Sequence, residues 1–303
     1  MGLENIFQPV AGARPHVACE VRSEGVVAAR SASKSGGTAV AFSSLHGGAL
    51  APGLKVPNLT DLSAVRSALQ SVLGDLGVRG GAITLVVPDA AARVLLLDFD
   101  ALPAKRQEAL SVVRFRLRKM VPFDVETAAV SYQVMAKTDR HIDVMVTVMP
   151  GDVLEEYENL VRESGYEPGA VLPSTLAAAA GLSGDSAALM VNDAGASVTT
   201  AVTQGSEMLL HRSMDLPAEP QGREEEMAQA VITALAWYED TLQRLPSSMY
   251  YAGLGGAGEA VQSRWMTLVQ PAPHLVDLAS TDASALTTIP PGVTASVTGA
   301  LAT

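Results

Sequence analysis

The sequence predicts an α/β protein made of two halves of like element order, with a smaller α+β subdomain set between them. Three observations carry this prediction. Three short strands, a helix and a further strand occur in that order twice, roughly 170 residues apart. Between the two runs lies a strand-helix-strand-strand-helix segment, residues 89–168, the size of a compact two-layer unit. The chain is 48% hydrophobic and only 17% charged, and Ala, Val, Leu and Gly rather than aromatics fill it, which suits close-packed α/β layers.

In chain order, residues 1–15 are expected to form a loose arm. HVACEVRS (16–23), GVVAARSAS (25–33) and TAVAFSS (38–44) have the short, β-branched-rich character of strands. TDLSAVRSALQSVLGDLGV (60–78) follows a helical period, with Leu62, Val65, Leu69, Val72 and Leu76 on one face and Thr60 as its expected N-cap. GAITLVVP (81–88) is a continuous apolar run, the pattern of a strand buried on both faces. The middle segment places strands at 93–100, 129–136 and 141–150 and helices over 104–121 and 152–165, the second with Asp152 as its expected cap. In the second half, AALMVND, SVTTAVT and EMLLHRS are strands. A long helix over 222–245 then buries Met227, Val231, Leu235, Tyr238 and Leu242, with Glu224, Glu225 and Glu226 suiting its N-terminus. SSMYYAG (247–253) is a strand, and 256–269 a helix.

Composition excludes several functions. A net charge of −11 leaves no basic excess for a nucleic-acid partner. The lone Cys19 excludes an internal disulfide framework and fits a reducing compartment. His16, His46, His141, His211 and His274 lack ligand spacing, so no metal site is expected. No Gly-x-Ser-x-Gly elbow is present. The start lacks the basic and apolar stretches of a secretory signal, and no apolar run spans a bilayer, so a soluble cytoplasmic chain is expected.

Four stretches could carry chemistry. Glu20 and Arg22 occupy the first strand before its turn, and Asp193, Ala194 and Gly195 form a corner followed by Ser197 and Thr199. Gly253, Gly255 and Gly256 follow a strand, either as a plain glycine turn or as a ligand contact. RFRLRK (114–119) sets four cations in six positions. These could simply favour a helix C-terminus or could meet anionic headgroups or an acidic partner. Leu110, Val113, Leu117 and Met120 follow core spacing on that helix, and Pro122 and Phe123 end it, lining a partner groove or anchoring the core.

Residues 102–135, LPAKRQEALSVVRFRLRKMVPFDVETAAVSYQVM, resemble the PilM family of type IV pilus assembly proteins. There a basic helix end is followed by Pro-Phe, an acidic loop and a strand ending in Tyr-Gln-Val. Residues 153–182 resemble that family's return into its first half, and the likeness extends with gaps over 16–303. The resemblance implies two actin-like, ribonuclease H-like halves. The first would comprise 16–88, 169–186 and a C-terminal helix at about 290–303; the insertion would be 89–168 and the second half 187–289.

The resemblance further implies a cytoplasmic protein, held at the inner membrane through the tail of a PilN-like partner that lies in a groove of the first half and its insertion. Other pilus assembly components are possible partners. Arg114, Arg118, Lys119, Met120, Pro122 and Phe123 are the candidate partner-binding residues. It also implies a nucleotide site between the halves. In the family's first corner, a Gly-Ile-Asp-Ile-Gly-like pattern, Glu20 stands for the acid and Arg22 for a glycine. Arg22 could pair with phosphate or with Glu20. Asp193, Gly195 and Ser197 match the second corner, and Gly253, Gly255 and Gly256 the adenosine turn. Because a Gly-Gly turn with Thr is also missing before the long helix, no catalytic residues and no cofactor are expected, with magnesium-ATP bound weakly if at all. The expected role is a non-catalytic adaptor. The alternatives are an ATPase switch whose nucleotide regulates partner binding, and a small-molecule kinase for which the chain offers no evident base.

Overall fold

The computed structural model describes residues 15–31, 37–182, 184–217, 219–253, 263–264, 267, 274–278, 283–290 and 292–302. The first lobe is built on strands β1 (Val17–Arg22), β2 (Gly25–Ser31), β3 (Thr38–Ser44), β4 (Ala82–Val87), β8 (Glu167–Pro173) and β14 (Ala283–Ala285), in spatial order β14-β3-β2-β1-β4-β8. β1, β2 and β3 form an antiparallel meander, while β4 and β8 extend it in parallel. β1 is buried along its whole length and β2 over its first five residues, which accounts for their unbroken Val, Ala and Cys content. Glu20 and Arg22 are the charged exceptions.

Helix α1 (Leu62–Asp75) packs Val65, Leu69, Val72 and Leu73 on this sheet. Its N-cap is Asp61, whose Oδ1 accepts from the Ala64 N–H at 2.9 Å. The expected cap, Thr60, instead donates to the Gly48 carbonyl. Leu62, one step inside the cap, falls off the apolar stripe and is exposed.

Three strands, β5 (Arg93–Phe99), β7 (Ile142–Met149) and β6 (Ala129–Lys137), form a separate antiparallel sheet in that order. Helix α2 (Arg106–Leu117) covers it through Val113 and Leu117, against Leu97, Val144, Val146 and Val148. Helix α3 (Gly151–Glu163), assigned from sequence to this insertion, instead buries Val153, Tyr157, Leu160 and Val161 in the first-lobe core. Pro150 takes the N-cap position. Asp152 lies one turn position inside the helix and accepts only from the adjacent Val153 N–H.

The second lobe repeats the meander with β9 (Ala188–Asp193), β10 (Ser197–Gln204), β11 (Glu207–Asp215), β12 (Ser248–Ala252) and β13 (His274–Asp277), ordered β11-β10-β9-β12-β13. Helix α5 (Pro220–Leu242) buries Met227, Val231, Leu235 and Tyr238. It begins two residues before the expected start, because Pro220 is tolerated in the first turn, and ends at a left-handed Gln243. Between the sheets lie α4 (Ser174–Ala179) and α6 (Ala295–Leu301). α4 faces the second lobe through Leu176, Ala178 and Ala179, and α6 faces the first through Val297 and Ala300.

The sequence pattern did not separate β8, α4, β13 or β14 as elements. β14 lies within the span assigned to the second half, yet pairs with β3 of the first sheet. The helix expected over 256–269 falls largely outside the described residues.

Candidate functional site

The two meanders point their first turns at each other. β1 leads through Ser23 and Glu24 into β2, and β9 leads through Ala194–Ala196 into β10. Gly195 stands at φ 86°, and a Cβ there would lie 2.7 Å from Ser23 Oγ of the opposite lobe. Gly253, at the end of β12, stands at φ 76°, where a Cβ would collide with the Asp193 carbonyl oxygen. Positive φ favours glycine at both positions, and at Gly253 the close Asp193 backbone requires it.

Arg22 lies where these three corners meet. It is only 2% exposed and is the largest fully buried side chain among the described residues. Its Nη1 donates to Glu20 Oε1 at 3.2 Å, and its Nη2 donates to the carbonyls of Asp193 (2.8 Å) and Gly253 (3.2 Å). Nε lies 3.5 Å from Glu24 Oε2 without forming a hydrogen bond. One guanidinium therefore joins both lobes. Burial works against its charge, but Glu20, Glu24 and Asp193 more than offset that, and the pKa lies above the ordinary arginine value.

Glu20, fully buried, accepts from Arg22, from Ser174 Oγ at 2.6 Å, and through its second oxygen from Ser296 Oγ. The two serines come from α4 and α6, so this carboxylate ties both interlobe helices to β1. A chain of polar contacts continues from Ser174. Asn192 Nδ2 donates to Ser174 Oγ (3.1 Å) and Thr175 Oγ1 (2.9 Å). Thr175 donates its N–H (3.0 Å) and its hydroxyl to Asp89, which also accepts from Thr199 Oγ1 at 2.7 Å. The network crosses between lobes a second time at Asp89–Thr199.

Asp193 Oδ1 accepts from the Gly195 N–H at 2.9 Å, shaping its own turn, and from Arg223 Nη2 at 2.5 Å. Arg223 Nη1 in turn donates to the Gly195 carbonyl. Burial pushes the Asp193 carboxyl above its usual range, and Arg223 only partly counters this. Ser197 is buried at the start of β10, and its hydroxyl has no hydrogen-bond partner among the described residues.

The structure thus brings Glu20, Arg22, Asp193, Gly195, Ser197 and Gly253 to one junction, while Gly255 and Gly256 lie outside the described residues. Sequence reasoning missed Asp89, Ser174, Asn192, Ser296 and Arg223. Short polar residues inside the apolar runs of β9, α4 and α6 were the available signal.

The basic segment divides. Arg114 turns inward, donating to the carbonyls of Val125 and Ala128, and Arg118 pairs with Glu126. Met120, expected in the core, is exposed because the helix has ended at Leu117. Lys119 and Pro122 are exposed, and Phe123 packs partly into the insertion core while lining a groove with Leu54, Lys55 and Pro150.

A second groove, of about 240 Å³, lies between the insertion and the first lobe. Ala129, Val130 and Ser131 of β6, Val171 and Pro173 of β8, and Leu154 and Met149 line it. β6 and β8 are each the last strand of their sheet. No described helix is long and apolar enough to cross a membrane, and among the described residues no His, Cys, Asp and Glu group is placed to hold a metal.

No protein-family model and no curated protein matches the chain. Among solved structures, a chain of the PilM-PilN type IV pilus biogenesis complex superposes with a TM-score of 0.74 at 14% identity, covering 88% of this chain and 89% of that one. The cytoplasmic domain of EpsL, an inner membrane component of the type II secretion system of Vibrio cholerae, superposes with a TM-score of 0.53 at 13% identity, covering 95% and 94%. The chain therefore has the two-lobed, actin-like fold expected from its sequence, similar to that of these pilus and secretion proteins.

Proposed function

We propose that this chain is a non-catalytic adaptor of a type IV pilus or related secretion machine. It would hold the cytoplasmic tail of a PilN-like inner-membrane protein and act at the membrane through it, with ATP binding weak or lost. The observation that carries the reading is the buried Arg22. A magnesium-triphosphate cradle needs open backbone N–H groups and free carboxylates at both corners. Here the guanidinium sits between the corners, Glu20 is taken up by Arg22, Ser174 and Ser296, and Asp193 by Arg223. The residues present do not fit the nucleotide.

The groove between β6 and β8 is the partner site that this reading favours. Its apolar walls and flanking edge strands suit an extended peptide, whose backbone can pair with a free strand edge while alternate side chains enter the groove. The test is calorimetry with a synthetic peptide of the cytoplasmic tail of a PilN-like inner-membrane protein. We expect binding without nucleotide, and Val130→Arg to weaken it by at least about ten-fold by placing a charge in a desolvated contact. Binding that appears only with ATP would favour the nucleotide-switch alternative instead.

A further inference from the structure

The outer face of α2 has a composition that neither the peptide groove nor the interlobe junction uses. Phe115 projects from it 70% exposed, the most exposed large hydrophobic side chain among the described residues. Val112, one turn earlier, is 36% exposed and Met120, just beyond the helix, 45%. Arg116, the last-turn neighbour of Phe115 and four positions after Val112, and Lys119, two residues beyond the helix end, are both exposed. Among the described residues neither pairs with a carboxylate, whereas the neighbouring Lys105 and Arg118 are matched by Glu108 and Glu126. The Arg118 guanidinium also lies 5.8 Å from the centre of the Phe115 ring.

Leaving a phenyl ring in water forgoes about 2 kcal/mol of burial, and Phe115 stands near two further exposed apolar side chains, Val112 and Met120, rather than alone. A protein partner would need a pocket fitted to one convex ring. The boundary layer of a bilayer needs none. It accepts the ring among the acyl chain ends, while long cationic stems reach back to the phosphates. The local charge is positive in a chain whose total is −11, and anionic headgroups complement it; more distant carboxylates are screened beyond about 10 Å at 0.1 M salt.

We propose that the exposed surface formed by Val112, Phe115 and Arg116 at the end of α2, with Lys119 just beyond it, is a membrane-surface site that takes anionic phospholipid headgroups. Two free cations and one aromatic give weak attachment alone, useful where another contact already holds the protein near the bilayer. The site is separate from the peptide groove, and its test involves no peptide, so either can fail without the other.

The test is co-sedimentation of the full chain, at low salt and millimolar lipid, with vesicles of equal phosphatidylglycerol and phosphatidylcholine and with vesicles of phosphatidylcholine alone. The expected result is preferential partition into the anionic vesicles that falls as salt rises. Arg116→Ser with Lys119→Ser should reduce it about twenty-five-fold, five-fold per cation, and Phe115→Ser about five- to ten-fold, with unchanged melting temperatures. Equal sedimentation with both vesicle types, or surface variants that partition like the parent, would overturn the proposal. So would a parent that ignores vesicles but binds an acidic protein through this face.

Discussion

Arg22→Ala is expected to lower the stability of the folded chain by about 3–5 kcal/mol, the cost of stripping one partner from a buried ion pair. The substitution leaves Glu20 fully buried with only two serine hydroxyls to offset its charge, and strands the carbonyls of Asp193 and Gly253 on the opposite lobe. Denaturant unfolding measures the loss. Glu20→Gln should also destabilise, because it leaves the guanidinium without its closest carboxylate. Because the two side chains share one network, the double variant Glu20→Gln/Arg22→Ala should cost less than the sum of the single effects. Additive effects would mean that the pair is not coupled as its geometry indicates. An Arg22→Ala protein as stable as the parent would mean that this arginine does not join the lobes.

The second large effect is expected at Asp89. Its carboxylate accepts from the Thr175 N–H, the Thr175 hydroxyl and the Thr199 hydroxyl, in a site closed to solvent. Asp89→Ala leaves buried donors without acceptors, each worth about 1–3 kcal/mol, so a loss near 3–5 kcal/mol is expected. Asp89→Asn keeps an acceptor for the backbone N–H, and the threonine hydroxyls can rotate to accept from its amide. Its cost should stay near 1–2 kcal/mol. Equal losses for the two variants would place the importance of Asp89 in its charge rather than in its hydrogen bonds.

Both predictions concern residues that differ in how visible they were beforehand. α1, α2 and α5 could be found from apolar period, because each buries one face against a sheet, and the meander strands from their short apolar, β-branched runs. Arg22 stood out only because a charged residue interrupted a continuous apolar strand beside a corner where the resembling family has glycine. Asp89 gave no such sign, since Pro-Asp-Ala-Ala is an ordinary turn sequence whose meaning comes from Thr175 and Thr199, 86 and 110 residues away. The allotment of α3 failed for a related reason. Its stripe of Val153, Tyr157, Leu160 and Val161 announces a buried face but not which sheet buries it. Phe115 was hidden by its surroundings, because a ring between arginines on a helix gives no measure of its exposure until the helix is docked.

The most direct test of the account is calorimetric titration of the purified chain with magnesium-ATP, paired with its melting temperature. A ligand at a hundred times its Kd stabilises a folded protein by about 2.7 kcal/mol, an effect easily seen in the melting curve. With Arg22 between the corners, the account predicts no measurable heat of binding and an unmoved melting temperature at millimolar ATP. Micromolar affinity that Asp193→Ala abolishes would contradict it.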